Sequence, residues 1–323
     1  MIADINALRD SLIYEAIRAL GLTQNARLHR VLAGLFHGPI EQFTSGGVTF
    51  DQMVEMQGFQ KAATWVLTRL CSSLTAYGLE NIPPDGALLV IANHPGTIDV
   101  LIIAAMMTRN DIKIIASDIV FLKFLPNTCS HIILSSRTKD MHKRMTAARD
   151  AIRHLQSGGA LILMGTGFLD PDPEINPLAV KHLENWSPSI DLFLRKVPEA
   201  NVLIAIVSGV LSKSWGHHPI TWLRHDGWRK RLLAEFGQVT QQLLFPDSLY
   251  LTPHISFAPP VGAAKLQIES SSGRVLPGIV ASARSLMAQH LGRISSGSEQ
   301  GTDGSGLVFH FREFGALGKV STP

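Results

Sequence analysis

A histidine and an aspartate five positions apart have the residue types and the spacing for acid–base chemistry. His94 and Asp99 stand in residues 93–99, which read NHPGTID. A neutral imidazole can take a proton from a hydroxyl group through one ring nitrogen, while a carboxylate holds the N–H of the other and stabilises the imidazolium that forms. Of the thirteen histidines in the chain, only His94 has an aspartate at this spacing.

The sequence on either side of the pair predicts its place in the fold. Residues 87–92 (ALLVIA) are an apolar run typical of a buried strand, and residues 98–108 are predicted to be a helix. Ligand sites of open α/β sheets gather where a strand ends and a helix begins. Because Pro95 favours an extended backbone at His94, we expect the histidine to end the strand.

The residues after the proline are expected to shape a turn. Gly96 permits a tight turn, and Thr97 is a suitable helix N-cap. Asp99 then falls in the first helical turn, where the helix dipole favours an ionised carboxylate. We therefore predict that the turn brings Asp99 to the ring of the histidine.

The wider hydrophobic pattern predicts an α/β fold with a mostly parallel, mixed sheet flanked by helices. Apolar runs of strand length alternate with segments of helical length, which is typical of a sheet covered on both faces. A helix is expected at residues 141–156, ended by Gly158 and Gly159. Strands are expected at residues 87–92, 112–116, 132–134, 160–164, 202–207 and 254–257.

Residues 1–80 are predicted to be an N-terminal helical element. Apolar residues recur at helical spacing from Ile5 to Ala19 and again from Phe59 to Tyr77, with a loop predicted at residues 44–47 (TSGG). Two interpretations of these helices stay open and are compatible. They cap the core, or their amphipathic faces lie on lipid.

Residues 81–292 are expected to form the α/β domain, followed by a tail. Residues 293–323 contain the run SSGSEQGTDGSG and are predicted to be a flexible linker and C-terminal tail. Cys71 and Cys129 lack zinc-finger spacing, so neither a structural metal nor a disulfide framework is expected. Two reduced thiols are typical of a cytosolic compartment.

The composition narrows the classes of partner. Hydrophobic residues make up 46% of the chain and charged residues only 17%, which indicates an unusually apolar surface. A net charge of +3 does not indicate nucleic acid. The N-terminus lacks a signal-peptide pattern, and the longest apolar run is too short to span a bilayer. We expect the chain to lie on a membrane surface and not to cross it.

Residues 213–231 (KSWGHHPITWLRHDGWRKR) hold three of the five tryptophans among basic residues. Tryptophan favours the membrane interface, and cations favour anionic head groups. One interpretation is a docking surface on the inner leaflet, which would make the protein cytoplasmic and peripheral. The other is tryptophan packed in the core beside a basic loop. The chain has no G-x-S-x-G elbow and no P-loop.

Residues 79–260 carry four blocks in the order found in a known family. NHPGTID resembles the N-H-x-x-x-x-D block of the glycerol-3-phosphate and 1-acylglycerol-3-phosphate (lysophosphatidic acid) acyltransferases. The second block resembles ILSSR at residues 133–137, the third ALILMGTG at residues 160–167, and the fourth the strand IAIV at residues 204–207. The N-terminal helices are similar to the helical element that precedes the catalytic domain in this family.

The resemblance implies the glycerolipid acyltransferase fold. It also implies transfer of a fatty acyl group from acyl-CoA or acyl-carrier protein to a hydroxyl of a glycerol phosphate, a lysophospholipid or a related lipid. His94 would be the general base and Asp99 its partner, with no metal and no other cofactor. Backbone N–H groups near Gly165 and Thr166 would stabilise the oxyanion. The residues expected to contact the substrates are Asn93, Gly96, Thr97, Arg137, Lys139, Lys143, Gly165 and Thr166.

The third block departs from the family pattern. The family's EGTR is MGTG at residues 164–167, so the acid and the phosphate-binding arginine are both absent. Arginine is the natural bidentate clamp for phosphate. Either Arg137, Lys139 and Lys143 compensate, or the acceptor is another hydroxylated lipid. The altered block also favours an alternative class, an acyltransferase-like protein that binds lipid or acyl-carrier protein with little turnover, whereas the intact His94 and Asp99 favour an enzyme.

Overall fold

A computed structural model of the chain describes residues 5–20, 30–31, 34, 36–117, 119–136, 140–245, 248–270, 273–296 and 306–311. The structural statements that follow concern these residues.

The described residues form one nine-stranded mixed sheet. Its strands are β1 Ser73–Tyr77, β2 Leu88–Ala92, β3 Ile112–Ser117, β4 Ile132–Ser135, β5 Ala160–Met164, β6 Asn201–Ser208, β7 His254–Phe257, β8 Val261–Gly262 and β9 Leu307–His310. The order is β4-β3-β5-β2-β6-β7-β1-β9, with β8 paired to β6. The five neighbouring strands β4, β3, β5, β2 and β6 run parallel, and β7 pairs antiparallel to β6. The predicted mostly parallel, mixed sheet is therefore confirmed.

Helices cover both faces of the sheet. They are α1 Ile5–Leu20, α2 His37–Gln57, α3 Phe59–Leu70, α4 Asp99–Met106, α5 Pro126–Cys129, α6 Met141–Gln156, α7 Ala179–His182, α8 Ser189–Lys196, α9 Lys213–Gly216, α10 Gly227–Leu244, α11 Ala263–Glu269 and α12 Leu276–Ser295.

Strand β2 lies at the centre and is buried along its whole length. Leu88 and Val90 face the cluster that includes α3 and α4. Leu89 and Ile91 face the cluster that includes α6, α8 and α12. Because successive side chains of a strand point to opposite faces, a strand covered on both faces is apolar throughout. This is why β2 carries no polar residue, and the first one, Asn93, follows its end.

The N-terminal region differs from the prediction in two places. Residues 44–47, predicted to be a loop, lie inside α2, and the helix predicted to continue to Tyr77 ends at Leu70 before β1 begins. Two adjacent glycines weaken a helix by about 1 kcal/mol each. Packing of the buried Phe50 and Val54 into the core outweighs that local preference.

The helices of this region use their apolar faces within the fold. Ile13 and Ile17 of α1 pack with Ile40 of α2. The carboxylate of Asp51 in α2 accepts a hydrogen bond from the N–H of Thr128 at 2.7 Å, which ties α2 to α5. These contacts support the interpretation of a helical cap on the core.

The first and last segments both contribute strands to the sheet. Strand β1, within residues 1–80, pairs parallel with β7, and β9, within the predicted tail, pairs antiparallel with β1. The predicted division at residues 80 and 292 stays a prediction, but residues 307–310 belong to the sheet and not to a free tail. Of the helices in the described ranges, none combines the length and the apolar character needed to cross a bilayer.

Candidate active site

The side chains of His94 and Asp99 contact each other directly. The Nδ1 atom of His94 lies 2.9 Å from Oδ2 of Asp99. Asp99 is fully buried, while 20% of the His94 side chain remains exposed. The predicted turn therefore does bring the carboxylate to the ring, and the ring keeps an edge toward solvent.

This contact fixes which ring nitrogen can act as a base. An ionised carboxylate can only accept hydrogen bonds, so Nδ1 of His94 carries the proton and donates to Asp99. In the neutral imidazole, Nε2 then holds a lone pair. The ring can take a proton through Nε2 while Asp99 stabilises the positive charge.

Neighbouring carboxylates raise the pKa of His94. Burial acts in the opposite direction and is the largest single influence, but the Coulombic attraction and the hydrogen bond of Asp99, together with the charges of Asp170 and Glu235, outweigh it. The surroundings therefore make the imidazole a stronger base.

Backbone N–H groups hold the Asp99 carboxylate in place. The N–H of Gly96 donates to Oδ2 at 3.1 Å, and the N–H of Val100 donates to Oδ1 at 2.6 Å. Helix α4 begins at Asp99 with Ile98 in the N-cap position, so the prediction of an N-cap at Thr97 is wrong. The N–H of Thr97 instead donates to Oε2 of Glu235 at 2.7 Å.

Glu235 was not singled out from the sequence. It lies in α10, is only 3% exposed and reaches the turn from a point 138 residues further along the chain. Burial raises the pKa of Glu235 to about 7, and the negative charge of Asp99 adds to this rise, while hydrogen bonds from Thr97 oppose it. No local pattern marks this residue, because Glu235 is an ordinary helix former in an amphipathic segment.

The loop after β5 also reaches the histidine. Oδ2 of Asp170 accepts the N–H of His94 at 3.0 Å, and Oδ1 accepts the hydroxyl of Thr166 at 3.0 Å. Burial raises the pKa of Asp170, although these hydrogen bonds and the charges of His94 and His182 oppose the rise. No pattern in the sequence indicates this contact between Asp170 and His94.

The side chain of Asn93 forms hydrogen bonds within the fold. Its side chain donates to the carbonyl oxygen of Val207 and accepts the N–H of the same residue, both at 2.8 Å, and it is 2% exposed. The amide therefore links the end of β2 to β6. This placement does not support the predicted contact of Asn93 with a substrate.

The third block has one N–H that is already in use. The N–H of Gly165 donates to the carbonyl oxygen of Ala92 at 2.8 Å, so it does not support the predicted role of this group as an oxyanion donor. A Cβ atom on Gly165 would lie 2.4 Å from the ring of Trp186, so a glycine is required there. Thr166 is half-buried beside Asp170, and its N–H stays the candidate donor.

Of the three basic residues predicted to bind substrate in and after the second block, the structure describes one. Arg137 and Lys139 lie outside the described residues. Lys143 is exposed in the first turn of α6, where its N–H donates to the Asp140 carboxylate at 3.2 Å. It borders a cavity of about 330 Å³. The residues that line this cavity are Lys123, Leu134, Ser136, His142, Lys143 and Thr146.

The tryptophan-rich segment divides into packed and exposed parts. The indole N–H of Trp215 donates to Gln241 at 2.7 Å, and the half-buried Trp228 lies against Phe168, with ring centres 5.8 Å apart. Trp222 is 74% exposed and Leu223 is 71% exposed. The two interpretations from the sequence therefore each fit part of the segment.

Arg231 belongs to the packed part. Its Nε atom donates to the carbonyl oxygen of Leu169 at 2.7 Å, in the loop that follows the third block. It brings a positive charge beside Asp170. Within the described ranges, no three His, Cys, Asp or Glu side chains are grouped so as to hold a metal ion.

Comparisons with known proteins match part of the chain to a family. Residues 73–167 match the family model described as "Acyltransferase". No curated protein matches the chain by sequence. Among solved structures, the chain is similar to the crystal structure of the 1-acyl-sn-glycerophosphate (LPA) acyltransferase PlsC from Thermotoga maritima. The sequence identity is 13% and the TM-score is 0.40, and the alignment covers 93% of this chain and 99% of that chain.

Proposed function

We propose that this chain is an acyltransferase, because residues 73–167 match the acyltransferase family model. The proposed reaction transfers a fatty acyl group from a thioester donor to a hydroxyl group of a glycerolipid precursor. The donor is acyl-CoA or acyl-carrier protein. The acceptor is a glycerol phosphate, a lysophospholipid or a related lipid. The single observation that carries the proposal is the hydrogen bond between His94 and Asp99, which leaves Nε2 of His94 as the free base.

The reaction needs one base and no covalent enzyme intermediate. Nε2 of His94 takes the proton of the acceptor hydroxyl as the oxygen attacks the thioester carbonyl carbon. The tetrahedral intermediate collapses, the C–S bond breaks, and the leaving thiolate takes the proton from the imidazolium. The products are an ester and a free thiol, and the enzyme returns to its starting state.

The negative charge on the carbonyl oxygen needs a hydrogen-bond donor. Thr166 supports this part of the proposal, because its side chain shares the carboxylate of Asp170 with the main chain of His94. A backbone N–H aimed at the developing oxyanion is worth about 3–4 kcal/mol of barrier in other acyl-transfer enzymes. We assign this role to the N–H of Thr166.

The acceptor's head group is the finer part of the proposal. With MGTG as the third block, a phosphate-bearing acceptor needs positive charge from elsewhere. Lys143 at the cavity beside α6 supports such an acceptor, and Arg137 and Lys139 precede it in sequence. We propose that these residues bind the acceptor phosphate.

A membrane surface is the proposed location of the lipid acceptor. Trp222 and Leu223 expose apolar area, and the basic residues Arg229 and Lys230 follow them in sequence, in the first turn of α10. Exposed tryptophan beside cations is complementary to the interface of an anionic bilayer. We propose that this surface, composed of these four residues, docks on the inner face of the membrane.

One assay tests the reaction. Purified wild-type protein is incubated with acyl-CoA and, in turn, glycerol 3-phosphate, lysophosphatidic acid and neutral lysolipids. A colorimetric thiol assay measures the release of free thiol, and mass spectrometry detects the acylated product. The H94A variant should lose about 10²–10⁴-fold in rate, because a positioned base contributes that much. The H217A variant, which removes an exposed histidine of α9's C-cap, should retain full activity.

The outcome decides between the two classes. Thiol release that depends on both acceptor and His94 supports the enzyme. Equal release by wild type and H94A, with no acylated product from any acceptor, would reject the proposed transfer.

A further inference from the structure

One face of α10 carries polar side chains that are directed into the protein. Arg231, Glu235, Gln238 and Gln242 recur at intervals of four, three and four residues, so they share one face of the helix. Glu235, Gln238 and Gln242 are 3%, 2% and 7% exposed. A surface helix normally directs an apolar face inward. This polar face therefore calls for partners inside the protein.

The partners all lie near the ends of strands or helices. Gln238 accepts the N–H of Ser212 at 2.7 Å and donates to the carbonyl oxygen of Val210 at 2.9 Å. Gln242 donates to the carbonyl oxygen of Leu70 at 3.0 Å. These two glutamines are neutral, and each satisfies backbone groups that need a partner.

Glu235 differs because it is acidic and contacts the catalytic turn. Its Oε2 atom accepts the N–H of Thr97 at 2.7 Å, and a Cβ atom on Gly96 would lie 2.3 Å from its Oε1. Gly96 and Thr97 stand between His94 and Asp99. The carboxylate of Glu235 therefore contacts the middle of the turn that joins His94 to Asp99.

A carboxylate is a costly choice for a merely structural contact. Burial of a charge costs several kcal/mol unless hydrogen bonds and opposite charge offset it. A glutamine at position 235 would fill the same space and offer an oxygen to the N–H of Thr97, as Gln238 does for Ser212. The negative charge itself is therefore what requires an explanation.

We propose that Glu235 is a positioning residue for the His94–Asp99 pair, which fixes the turn through Thr97 and supplies a second buried negative charge that stabilises the imidazolium of His94 during proton transfer. The inference rests on the proposed function, because it concerns the base of that reaction. The charge of Glu235 acts on His94 in the direction that raises the pKa of the ring. Because the pKa of Glu235 is about 7, this charge is present above neutral pH, where it supplements that of Asp99.

Several charged groups surround the two side chains. Asp99 faces both His94 and Glu235 from the start of α4. Asp170 faces His94 from the loop after β5, with His182 and Arg231 beside it. The segment after β6 contacts Gly96 through Val210, whose N–H donates to Asp172 at 2.9 Å. The pKa of His94 therefore reflects several of these charges together.

Two substitutions separate the charge from the hydrogen bond. E235Q keeps an acceptor for the N–H of Thr97 and removes the charge, whereas E235M removes both at similar volume. E184Q is the control, because it neutralises an exposed carboxylate that pairs with Arg284. Both Glu235 variants are expected to fold, since each removes a buried charge. Thermal unfolding and circular dichroism verify the fold.

The decisive readout is the pKa of His94 in the free enzyme. Histidine ring signals are titrated by NMR, and the His94 signal is identified by its loss in H94A. E235Q and E235M should each lower the pKa of His94 by about half a unit to one unit, because a neighbouring buried charge acts on this scale. E235M should also speed hydrogen exchange at the N–H of Thr97, and E184Q should change neither quantity.

The same shift should appear in catalysis. The acid limb of the kcat/KM profile should move to lower pH in E235Q by the amount measured for His94, with kcat reduced several-fold and KM little changed. A His94 pKa identical in wild type and E235Q overturns the inference, even if the enzyme is fully active. Failure of the proposed function is a different result, namely thiol release that is equal in wild type and H94A.

Discussion

Asp170 and His94 exchange two hydrogen bonds through the main chain of the histidine. The carboxylate of Asp170 accepts the N–H of His94 at 3.0 Å, and the N–H of Asp170 donates to the carbonyl oxygen of His94 at 2.6 Å. The loop after β5 thus fixes the backbone at His94, while α10 fixes the turn that follows it. Two elements that are distant in sequence therefore hold the main chain that carries the imidazole, while Asp99 contacts the ring itself.

The first prediction concerns this backbone contact. D170A should lower kcat about 10–100-fold, because a displacement of about 1 Å at a catalytic group costs on the order of 10²-fold. It should also lower the free energy of unfolding by roughly 1–3 kcal/mol, since the N–H of His94 loses its acceptor. Thiol release and chemical denaturation measure the two effects.

A matched aspartate provides the control. Asp191 accepts the N–H groups of Val275 and Leu276 at 2.8 and 3.0 Å, far from the site in sequence. D191A should destabilise the protein to a similar degree and leave the rate per folded molecule unchanged. Equal kcat losses in D170A and D191A would mean that Asp170 acts on stability alone.

The second prediction concerns pH. A general base must be neutral, so kcat/KM should rise with pH as His94 loses its proton. Because Asp99, Asp170 and Glu235 raise the pKa of His94, the midpoint of this rise should lie above 6.5. D99N removes the largest of these attractions, so it should move the midpoint to lower pH and reduce the plateau by about 10²–10⁴-fold.

A profile measured from pH 5 to 9 with each variant tests this prediction. A midpoint that stays in place in D99N, with only the plateau lowered, would show that Asp99 orients the ring without affecting its charge.

The third prediction concerns the free energy of unfolding, which the buried carboxyl group of Glu235 lowers as pH rises. Its folded pKa of about 7 lies above the ordinary value of 4.5. Below pH 4.5 both states are protonated and the group has no effect. As pH rises from 4.5 to 7, the unfolded state ionises first, so the folded state loses stability, by roughly 3 kcal/mol in total.

E235Q removes this loss. The difference in free energy of unfolding between E235Q and wild type should therefore grow in favour of the variant between pH 5 and 8. Urea denaturation at four pH values measures it. A difference that does not vary with pH would show that the carboxyl group has an ordinary pKa.

The central strands and the turn that joins His94 to Asp99 could be predicted because their signals are local. The strands at residues 160–164 and 254–257 and the helix at residues 141–156 have the predicted bounds. Buried parallel strands are apolar throughout, and the helix has an amphipathic period and a glycine stop, so each carries its signal within its own residues. Likewise, Pro95 and Gly96 indicate a turn without knowledge of the rest of the chain.

The remaining features depend on contacts between distant segments. Residues 44–47 have turn-forming types but lie in α2, because tertiary packing of that helix overrides local preference. Glu235 and Asp170 contact the motif from 138 and 76 residues away, and nothing in their own neighbourhoods indicates this. Strand β9 follows a low-complexity run that gives no indication of its pairing with β1.

The fourth prediction concerns the close approach of Gly165 and Trp186. G165A should destabilise the protein by about 1–3 kcal/mol, because its Cβ atom would lie 2.4 Å from the indole ring. W186L should make room for the added methyl group, so the double variant should be less destabilised than the sum of the two single variants. A double-mutant cycle on unfolding free energies measures this coupling, and strict additivity would contradict the close contact.

The fifth prediction concerns membrane docking by Trp222, Leu223, Arg229 and Lys230. The W222A/L223A double variant should bind vesicles that contain anionic phospholipid at least about tenfold more weakly, because each apolar side chain contributes up to about 1.5–3 kcal/mol when it leaves water. I268A is the control, since Ile268 is 85% exposed in α11, outside the docking segment. Vesicle co-sedimentation measures both.

The charges of the same surface are tested separately from its apolar residues. Reversal of Arg229 and Lys230 should weaken binding to anionic vesicles and leave binding to neutral vesicles unchanged, because each cation contributes about 1 kcal/mol near an anionic surface. Arg231 is left intact, since its Nε atom donates to Leu169 and its removal would disturb the loop that carries Asp170. If I268A weakens binding as much as W222A/L223A, or if charge reversal has no effect on anionic vesicles, this surface does not dock on the membrane as proposed.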